Sequence, residues 1–449
     1  MSADNGVRRT RAGVLLWLVA AAYVAFMVWE LAGGYAAAAR GEAPLYTDYT
    51  SLYAASLLVR SEPAENLYRP RRIYEATVAT AYVAYGEGIS PEQAKKVGYS
   101  PWMYPPPFIL VSLPLAYLPY LLSFFAWIAV TAVPYVVALR SILRDAMAVP
   151  FALAAPPAFF NLAYGQTGFL SGGLIGLGLV LIRHRPLLAG VCIGLASVKP
   201  HFGVLIPLAL AAGGHWRVFG AAAVTVAGLI VASIAILGID PWYGFIGTLL
   251  FNLEGFQAGA YTWHSMTSVL STVHMAGLPL DRAWLVQYVV SAGVALVVTW
   301  VWWRGRARLD TLGLQSAILC LGAPLAVPMV YLYDLVVVVP GVAWVWLDMR
   351  ARGAARWQRG LLVASTGAIL GVYVIAARLG LQTGALLVGV LFALALCRYH
   401  HALRAGSDGG SNARMARTAC ARTGDERPLP THGSKRCERR AGSACSFSP

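Results

Sequence analysis

The chain has 449 residues, of which 58% are hydrophobic and only 12% charged, and its mean hydropathy is +0.62. Soluble domains carry about 25% charged residues, so composition excludes an ordinary soluble fold. The net charge of +15 does not point to nucleic acid, because most basic residues lie in short connections between apolar runs and in a polar C-terminal tail, the positive-inside pattern of a membrane protein.

The first apolar run extends from Ala12 to about Leu31 behind Arg8, Arg9 and Arg11. It is longer than the core of a cleaved signal and reads as an anchor. Similar runs recur as far as Leu396 without the alternation of a β-barrel. The expected fold is an all-α polytopic membrane protein, a bundle of about 12 transmembrane helices with both termini in the cytoplasm. The spans fall near 12–34, 106–141, 147–163, 168–182, 187–198, 201–212, 218–238, 284–303, 309–323, 332–347, 360–377 and 380–398. The second holds Pro114 and Pro119 and is expected to kink.

The fifth and sixth spans are too short to cross alone. About 12 residues reach ~18 Å, against a hydrocarbon core of ~30 Å. A broken hairpin inside the bundle is expected, with a cavity near Lys199-Pro200-His201. Two outer loops are large, from about Tyr35 to Tyr104 and from about Gly238 to Leu280. In the first, Tyr74, Val78, Ala81, Tyr82 and Tyr85 recur at helical spacing, which predicts a helix on the outer membrane surface. Residues 1–400 form one transmembrane domain, and 401–449 read as a disordered, basic cytoplasmic tail. Cys192, Cys320 and Cys397 lie in apolar runs and Cys420, Cys437 and Cys445 in the tail, with no metal-ligand spacing. No metal, cofactor or protein partner is expected.

Acidic residues total 20, and one of them, Asp48, stands in "PLYTDYTSLYAA" just beyond the first span. It suits a helix N-cap before "YTSLYAASLLVR", and equally a general base at the membrane–water boundary. The prolines of "YPPPF" after Tyr104 pre-set a helix start. In "NLAYGQTG", a turn between spans, Asn161 and Gln166 offer hydrogen bonds to a hydroxylated ligand. Lys199 in "SVKPHFG" is the sharpest feature. An intramembrane charge costs ~2.5–3.5 kcal/mol to insert, so it either snorkels to the interface or serves an anionic ligand, phosphate foremost, beside His201. His264 in "YTWHSMTS" and Tyr331, Tyr333 and Asp334 in "PMVYLYDL" complete the candidates. Asp334 either caps its helix or lines the same cavity.

In this order the chain resembles the polyprenyl-phosphate-sugar-dependent membrane glycosyltransferases of the GT-C superfamily, and most closely glycosyltransferase family 87, which includes mycobacterial phosphatidylinositol-mannoside mannosyltransferases. The pieces that carry the likeness are "TDYTSLYAAS", "NLYRP", "YPPPFILVSLPLAYLP", "FFNLAYGQTGFLSGGLIGLGL", "AGVCIGLASVKPHFGVLIPLAL" and "WR" at 216–217. The likeness implies an inverting transferase in the cell's inner membrane, with its site on the extracytoplasmic face. A polyprenyl-phosphate hexose, mannose among the candidates, would enter from the bilayer, and a lipid or glycan would accept the sugar. Asp48 would be the general base. Lys199 would hold the departing phosphate, with Arg69 or Arg71 of the first loop. The mannosyltransferases carry a His-His pair late in the chain where this sequence has Tyr333 and Asp334, so mannose and a phosphoinositide acceptor do not carry over with the rest. A transporter or flippase of lipid-linked saccharide would share the broken helices and the intramembrane lysine, and a glycan polymerase or ligase would also bind lipid-linked saccharide at the outer face.

Overall fold

The computed structural model describes residues 2–42, 47–86, 89–96, 100–257 and 262–423. They fold mainly as helices: α1 (Ser2–Ala39), α2 (Asp48–Ser61), α3 (Pro70–Tyr85), α4 (Pro91–Ala94), α5 (Pro106–Ser112), α6 (Tyr120–Leu143), α7 (Ala148–Ala154), α8 (Pro156–Tyr164), α9 (Gly168–Leu181) and α10 (Pro186–Leu195). Then come α11 (Leu205–Ala212), α12 (Trp216–Leu237), α13 (Asp240–Gln257), α14 (Val269–Met275), α15 (Leu280–Gly305), α16 (Leu312–Gly322), α17 (Val338–Ala351), α18 (Arg356–Ala368), α19 (Val372–Leu379) and α20 (Gly384–Thr423). Among the described residues the extended pairing is an isolated antiparallel bridge between Met266 and Tyr331.

Seven described segments are long and apolar enough to cross a membrane: Arg11–Ala39, Tyr120–Leu143, Trp216–Leu237, Leu280–Gly305, Leu332–Ala351, Arg356–Leu379 and Gly384–Arg404. Five further apolar segments are shorter: Pro106–Tyr117, Gly168–Leu181, Pro186–Val198, Pro200–Ala212 and Leu309–Gly322. The protein is a helical membrane protein. Its apolar surface follows that logic: α12 turns Val224, Val231 and Ile236 outward, whereas Leu332–Ala351 is enclosed, with Leu335, Val336, Val338 and Val339 fully buried. A helix apolar on its outer face is solvated by lipid, and one buried all round forms the centre of a bundle.

Proline decides where the expected spans come apart. The second was expected as one kinked helix over 106–141. It is instead α5, a 3-10 turn at Leu113–Tyr117, and then α6 starting after Pro119. Pro114 and Pro119 remove two backbone donors five residues apart, too many for one continuous helix. The expected span 147–163 is likewise two short helices, α7 and α8. Ala155 between them is extended (φ −61°, ψ 131°), as a residue before proline is driven to be. The broken hairpin is present: α10 ends in a 3-10 turn, Lys199 leaves helical geometry (φ −121°, ψ 80°), and Pro200–Gly203 leads into α11.

The first outer region is helical. α2 packs against α3, and the buried face of α3 is Ile73, Ala76, Thr77, Thr80 and Ala81. Of the stripe Tyr74, Val78, Ala81, Tyr82 and Tyr85, Ala81 joins this buried face and Tyr82 is exposed. Tyr74, Val78 and Tyr85 partly cover a small cluster of Ala38, Ala81, Ile89 and Ala94. Contacts divide the chain into Met1–Tyr399 and His400–Pro449. The latter is helical as far as Thr423, and residues 424–449 of the expected tail lie outside the described residues, as do 43–46 before Asp48.

Candidate active site

Asp48 is the first residue of α2, and the N-cap is its neighbour Thr47, whose backbone N–H donates to Thr50 Oγ1 at 3.3 Å. The carboxylate is therefore not committed to capping. Gln166 Nε2 donates to Asp48 Oδ2 at 3.1 Å. The Tyr104 hydroxyl in turn donates to Gln166 Oε1 at 2.7 Å, which orients the amide with its N–H₂ toward the acid. Burial raises the Asp48 carboxyl above the ordinary carboxylate range. Hydrogen bonds from Gln166 and Tyr333 and the charge of Lys199 oppose that rise, and Asp334 adds to it.

Gln166 reaches this position through one turn. α8 ends at Gly165, which is left-handed (φ +65°) and pressed against the first outer region, where a Cβ would stand 2.6 Å from Tyr49 Cβ and 2.7 Å from a Phe124 ring carbon. Only glycine meets both conditions. The Trp127 indole donates to the Gly165 carbonyl at 3.1 Å and fixes the turn from the α6 side. Asn161 Oδ1 accepts from the Gly168 N–H at 2.7 Å, closing the loop around Gln166. Its Nδ2 is buried without a partner among the described residues. Gly168 abuts the Tyr333 carbonyl so closely that no side chain fits, which brings the start of α9 against the turn Leu332–Val337.

That turn supplies the other half of the site. Lys199 neither snorkels nor stands alone: it is 6% exposed, and its ammonium pairs with Asp334 Oδ1, itself 2% exposed. Asp334 Oδ2 accepts the Tyr331 N–H at 3.0 Å. Asp334 thus caps its turn with one oxygen, as foreseen, and pairs with Lys199 through the other. Lys199 Nζ also lies 4.8 Å from the centre of the Tyr333 ring. His201 packs on Phe202 at 4.5 Å, and its Nε2 is buried with no partner among the described residues.

The structure therefore gathers Asp48, Tyr104, Asn161, Gln166, Lys199, Tyr331, Tyr333 and Asp334 in one connected group. His264 stands at its edge, 5.4 Å from the Tyr373 ring. Arg69 and Arg71 are not brought in. Both are exposed at the start of α3, and Arg71 pairs with Glu75 at 2.8 Å, one helical turn on. Tyr164 and Tyr373 were not foreseen. Tyr164 packs edge-on against Tyr333 at 5.7 Å. It lies inside the quoted "NLAYGQTG", where an aromatic before a helix-ending glycine was the available signal.

Behind Tyr104 lies an apolar cavity of about 310 Å³, lined by Tyr68, Ile73, Trp102, Gly247, Thr248 and Phe251 among others. It shares a wall with the site, because Trp102 contacts the Tyr104 ring at 5.1 Å and the Tyr68 hydroxyl donates to the Tyr104 carbonyl at 2.9 Å.

A family model, glycosyltransferase family 87, matches residues 102–328, half of the chain. The chain belongs to glycosyltransferase family 87. It is a glycosyltransferase, with a sugar donor and an acceptor as substrates, and the transporter reading is set aside. No curated protein and no solved structure matches the chain. Of the gathered residues, Tyr104, Asn161, Gln166 and Lys199 lie inside the matched segment of this family-87 protein. Asp48, Tyr333 and Asp334 lie outside it and join it through the contacts above.

Proposed function

We propose that the protein transfers a hexose from a polyprenyl-phosphate donor to a lipid or glycan acceptor on the extracytoplasmic face of the inner membrane, with inversion. The observation that carries this reading is a half-buried carboxylate, Asp48, that accepts a hydrogen bond from the neutral Gln166 amide rather than being neutralised by a cation at hydrogen-bond distance. A base so held keeps its lone pairs and a raised affinity for a proton.

Asp48 takes the proton of the acceptor hydroxyl as that oxygen attacks the anomeric carbon. The bond from that carbon to the phosphate oxygen breaks on the opposite face, and the polyprenyl phosphate leaves with the electron pair. Charge grows on the leaving phosphate, which is where a preorganised cation contributes most. Lys199 is the cation whose charge acts on Asp48, so it is the candidate for that role, exchanging Asp334 for the phosphate. The apolar cavity behind Tyr104 would receive the first isoprene units. Tyr333 and Asp334 replace a histidine pair of the mannosyltransferases, so mannose is one hexose among several to assay.

The test is transfer by the purified full-length chain from short-chain polyprenyl-phosphate hexoses, with the anomeric configuration of the product read by NMR. Sidedness is read by cysteine labelling in cells. A cysteine at exposed Ser61 should react from outside and one at exposed Arg306 should not. A retained anomeric configuration, or the reverse labelling pattern, would overturn the mechanism or the placement respectively.

A further inference from the structure

Most well-packed tyrosines of this chain give their hydroxyl a partner. Tyr53 donates to the Leu118 carbonyl, Tyr135 to Ala152 and Tyr399 to Val301, each at 2.8–3.0 Å, and Tyr49 donates to Ser123. A half-buried hydroxyl without one is therefore out of pattern. Tyr164 and Tyr373 are such a pair: both are half-buried, and neither hydroxyl has a hydrogen-bond partner among the described residues.

They belong to two short runs of rings, and the turn Ile369–Gly371 that leads into α19 packs against α8. Tyr331 stacks on Tyr333 at 5.5 Å with 14° between the planes, Tyr333 meets Tyr164 at 5.7 Å, and Tyr373 meets His264 at 5.4 Å. The first run includes Tyr333, which acts on the Asp48 carboxyl, and the second ends at His264. Their backbone is pinned at several points. Thr267 N–H donates to the Val330 carbonyl at 2.7 Å, Met266 bridges Tyr331, and Gln382 donates to the His264 carbonyl at 3.1 Å. The wall is rigid, aromatic and rich in hydroxyls. It carries no committed charge of its own, and the cation beside it, Lys199, is already paired with Asp334.

We infer that Tyr164, Tyr373 and His264 form a binding wall for an uncharged sugar unit of the acceptor, on the side of Asp48 away from the apolar cavity. This rests on the proposed transferase reading of the same site. Aromatic faces cover the C–H face of a pyranose, and the unused hydroxyls and the imidazole meet its hydroxyls. That is the usual make-up of an orienting site, an apolar surface with a few placed polar groups. Tyr164, Tyr373 and His264 themselves bring no lysine or arginine to a phosphate. The wall thus selects a neutral glycan terminus, with its hydroxyl directed at Asp48.

The experiment measures binding without turnover. Saturation-transfer NMR is recorded on the full chain in lipid nanodiscs with methyl α-glucoside, methyl α-mannoside and methyl α-galactoside, and with glycerol phosphate as the charged comparison. At least one neutral glycoside should receive magnetisation on its ring protons, and glycerol phosphate should not. Tyr164→Phe and Tyr373→Phe keep the rings and should each weaken glycoside binding about three- to tenfold, the loss of one hydrogen bond. His264→Ala should weaken it similarly, while binding of a short-chain polyprenyl-phosphate sugar stays unchanged in all three. Equal glycoside binding by wild type and the Phe variants, or preference for glycerol phosphate, would overturn the inference. Because no donor is present in the glycoside arm, failure of the donor reaction shows separately, as absent donor binding or absent transfer.

Discussion

The Leu332–Ala351 segment has a charged cluster at each end, and the two are built to opposite effect. At its C-terminal end Asp348 is shared by Arg398, at 2.7 Å, and Arg352, and Arg352 continues to Asp310 at 3.1 Å. Every carboxylate there has a guanidinium. At its N-terminal end, ~20 Å away along the helix, two carboxylates stand with one ammonium. Asp334 takes Lys199, and Asp48 is left with neutral donors. A saturated cluster joins helices and has nothing left to react with. The unsaturated one leaves a single acid whose charge the protein holds without cancelling, which is what a base needs. Each cluster has a buried pair at its heart, Lys199–Asp334 and Arg398–Asp348, so burial alone does not separate structure from function, whereas the count of opposite charges does.

The comparison breaks most sharply at Asp48. Asp48→Asn should lower transfer by ~10²–10⁴-fold, the usual loss of a general base. The same change should leave the fold intact, and its effect on stability has a definite sign. The folded carboxyl has a raised pKa, so ionising it works against the fold once the pH passes the unfolded carboxylate value, and fully so above the folded value. Asparagine removes that opposition. The variant should melt above wild type at neutral pH, and the advantage should vanish on acidification below the ordinary carboxylate range. A lower melting temperature at pH 7 would count against Asp48 as a half-buried base.

The next largest effects come from unpairing each cluster. Lys199→Met leaves Asp334 buried and uncompensated, and Asp348→Leu does the same to Arg398. Each should cost about 3–5 kcal/mol of stability. They should part company in the double variants and in activity. Lys199→Met with Asp334→Leu should recover much of the stability yet remain poor in transfer, since the phosphate's cation is gone. Asp348→Leu should transfer normally per folded molecule. Thermal melts of the cycle, set beside transfer rates normalised to folded protein, decide it. Recovery of transfer in the Lys199→Met, Asp334→Leu double variant would reduce that pair to the status of Asp348 and Arg398.

A subtler difference concerns tuning. The acid limb of kcat/KM should lie above the ordinary carboxylate range because burial raises the Asp48 carboxyl, and Gln166→Leu should move it to still higher pH, because the lost hydrogen bond favoured the ionised form. A pH profile of the variant that overlays wild type would remove Gln166 from the control of the base. The smallest effect is expected at Arg71→Ala. An exposed pair with Glu75 contributes little, and both transfer and melting temperature should stay at wild-type values. A clear loss of donor binding there would return the first-loop arginines to the phosphate.

How far the sequence led follows from these same residues. Lys199 stood out because a charge is costly at membrane depth, Asp48 because acids are scarce in this chain, and the break at Lys199-Pro200 because the two flanking apolar runs are too short to cross alone. The pairing of Lys199 with Asp334 was hidden, because the partners are 135 residues apart and meet only where α8 and α9 pack on the Leu332–Val337 turn. The split at Ala155 had its signal in Pro156-Pro157, but a continuous apolar run masked it. The Arg71–Glu75 pair was legible from its four-residue spacing, and it explains why that arginine is occupied elsewhere. Tyr373 had no local mark, since it lies in the half of the chain that speaks mainly through hydropathy.

The long separation of Lys199 from Asp334 also governs how the protein is made. At ~5–20 residues per second, synthesis delivers the lysine roughly 7–27 seconds before its carboxylate. For that interval an ammonium sits between two half-length apolar stretches with nothing to neutralise it, against an insertion cost of ~2.5–3.5 kcal/mol. Residues 186–212 should thus seat late, after Leu332–Ala351 emerges and supplies the carboxylate. A nascent chain stopped short of residue 332 should leave Lys199 open to water-soluble amine reagents, and the completed chain should shield it.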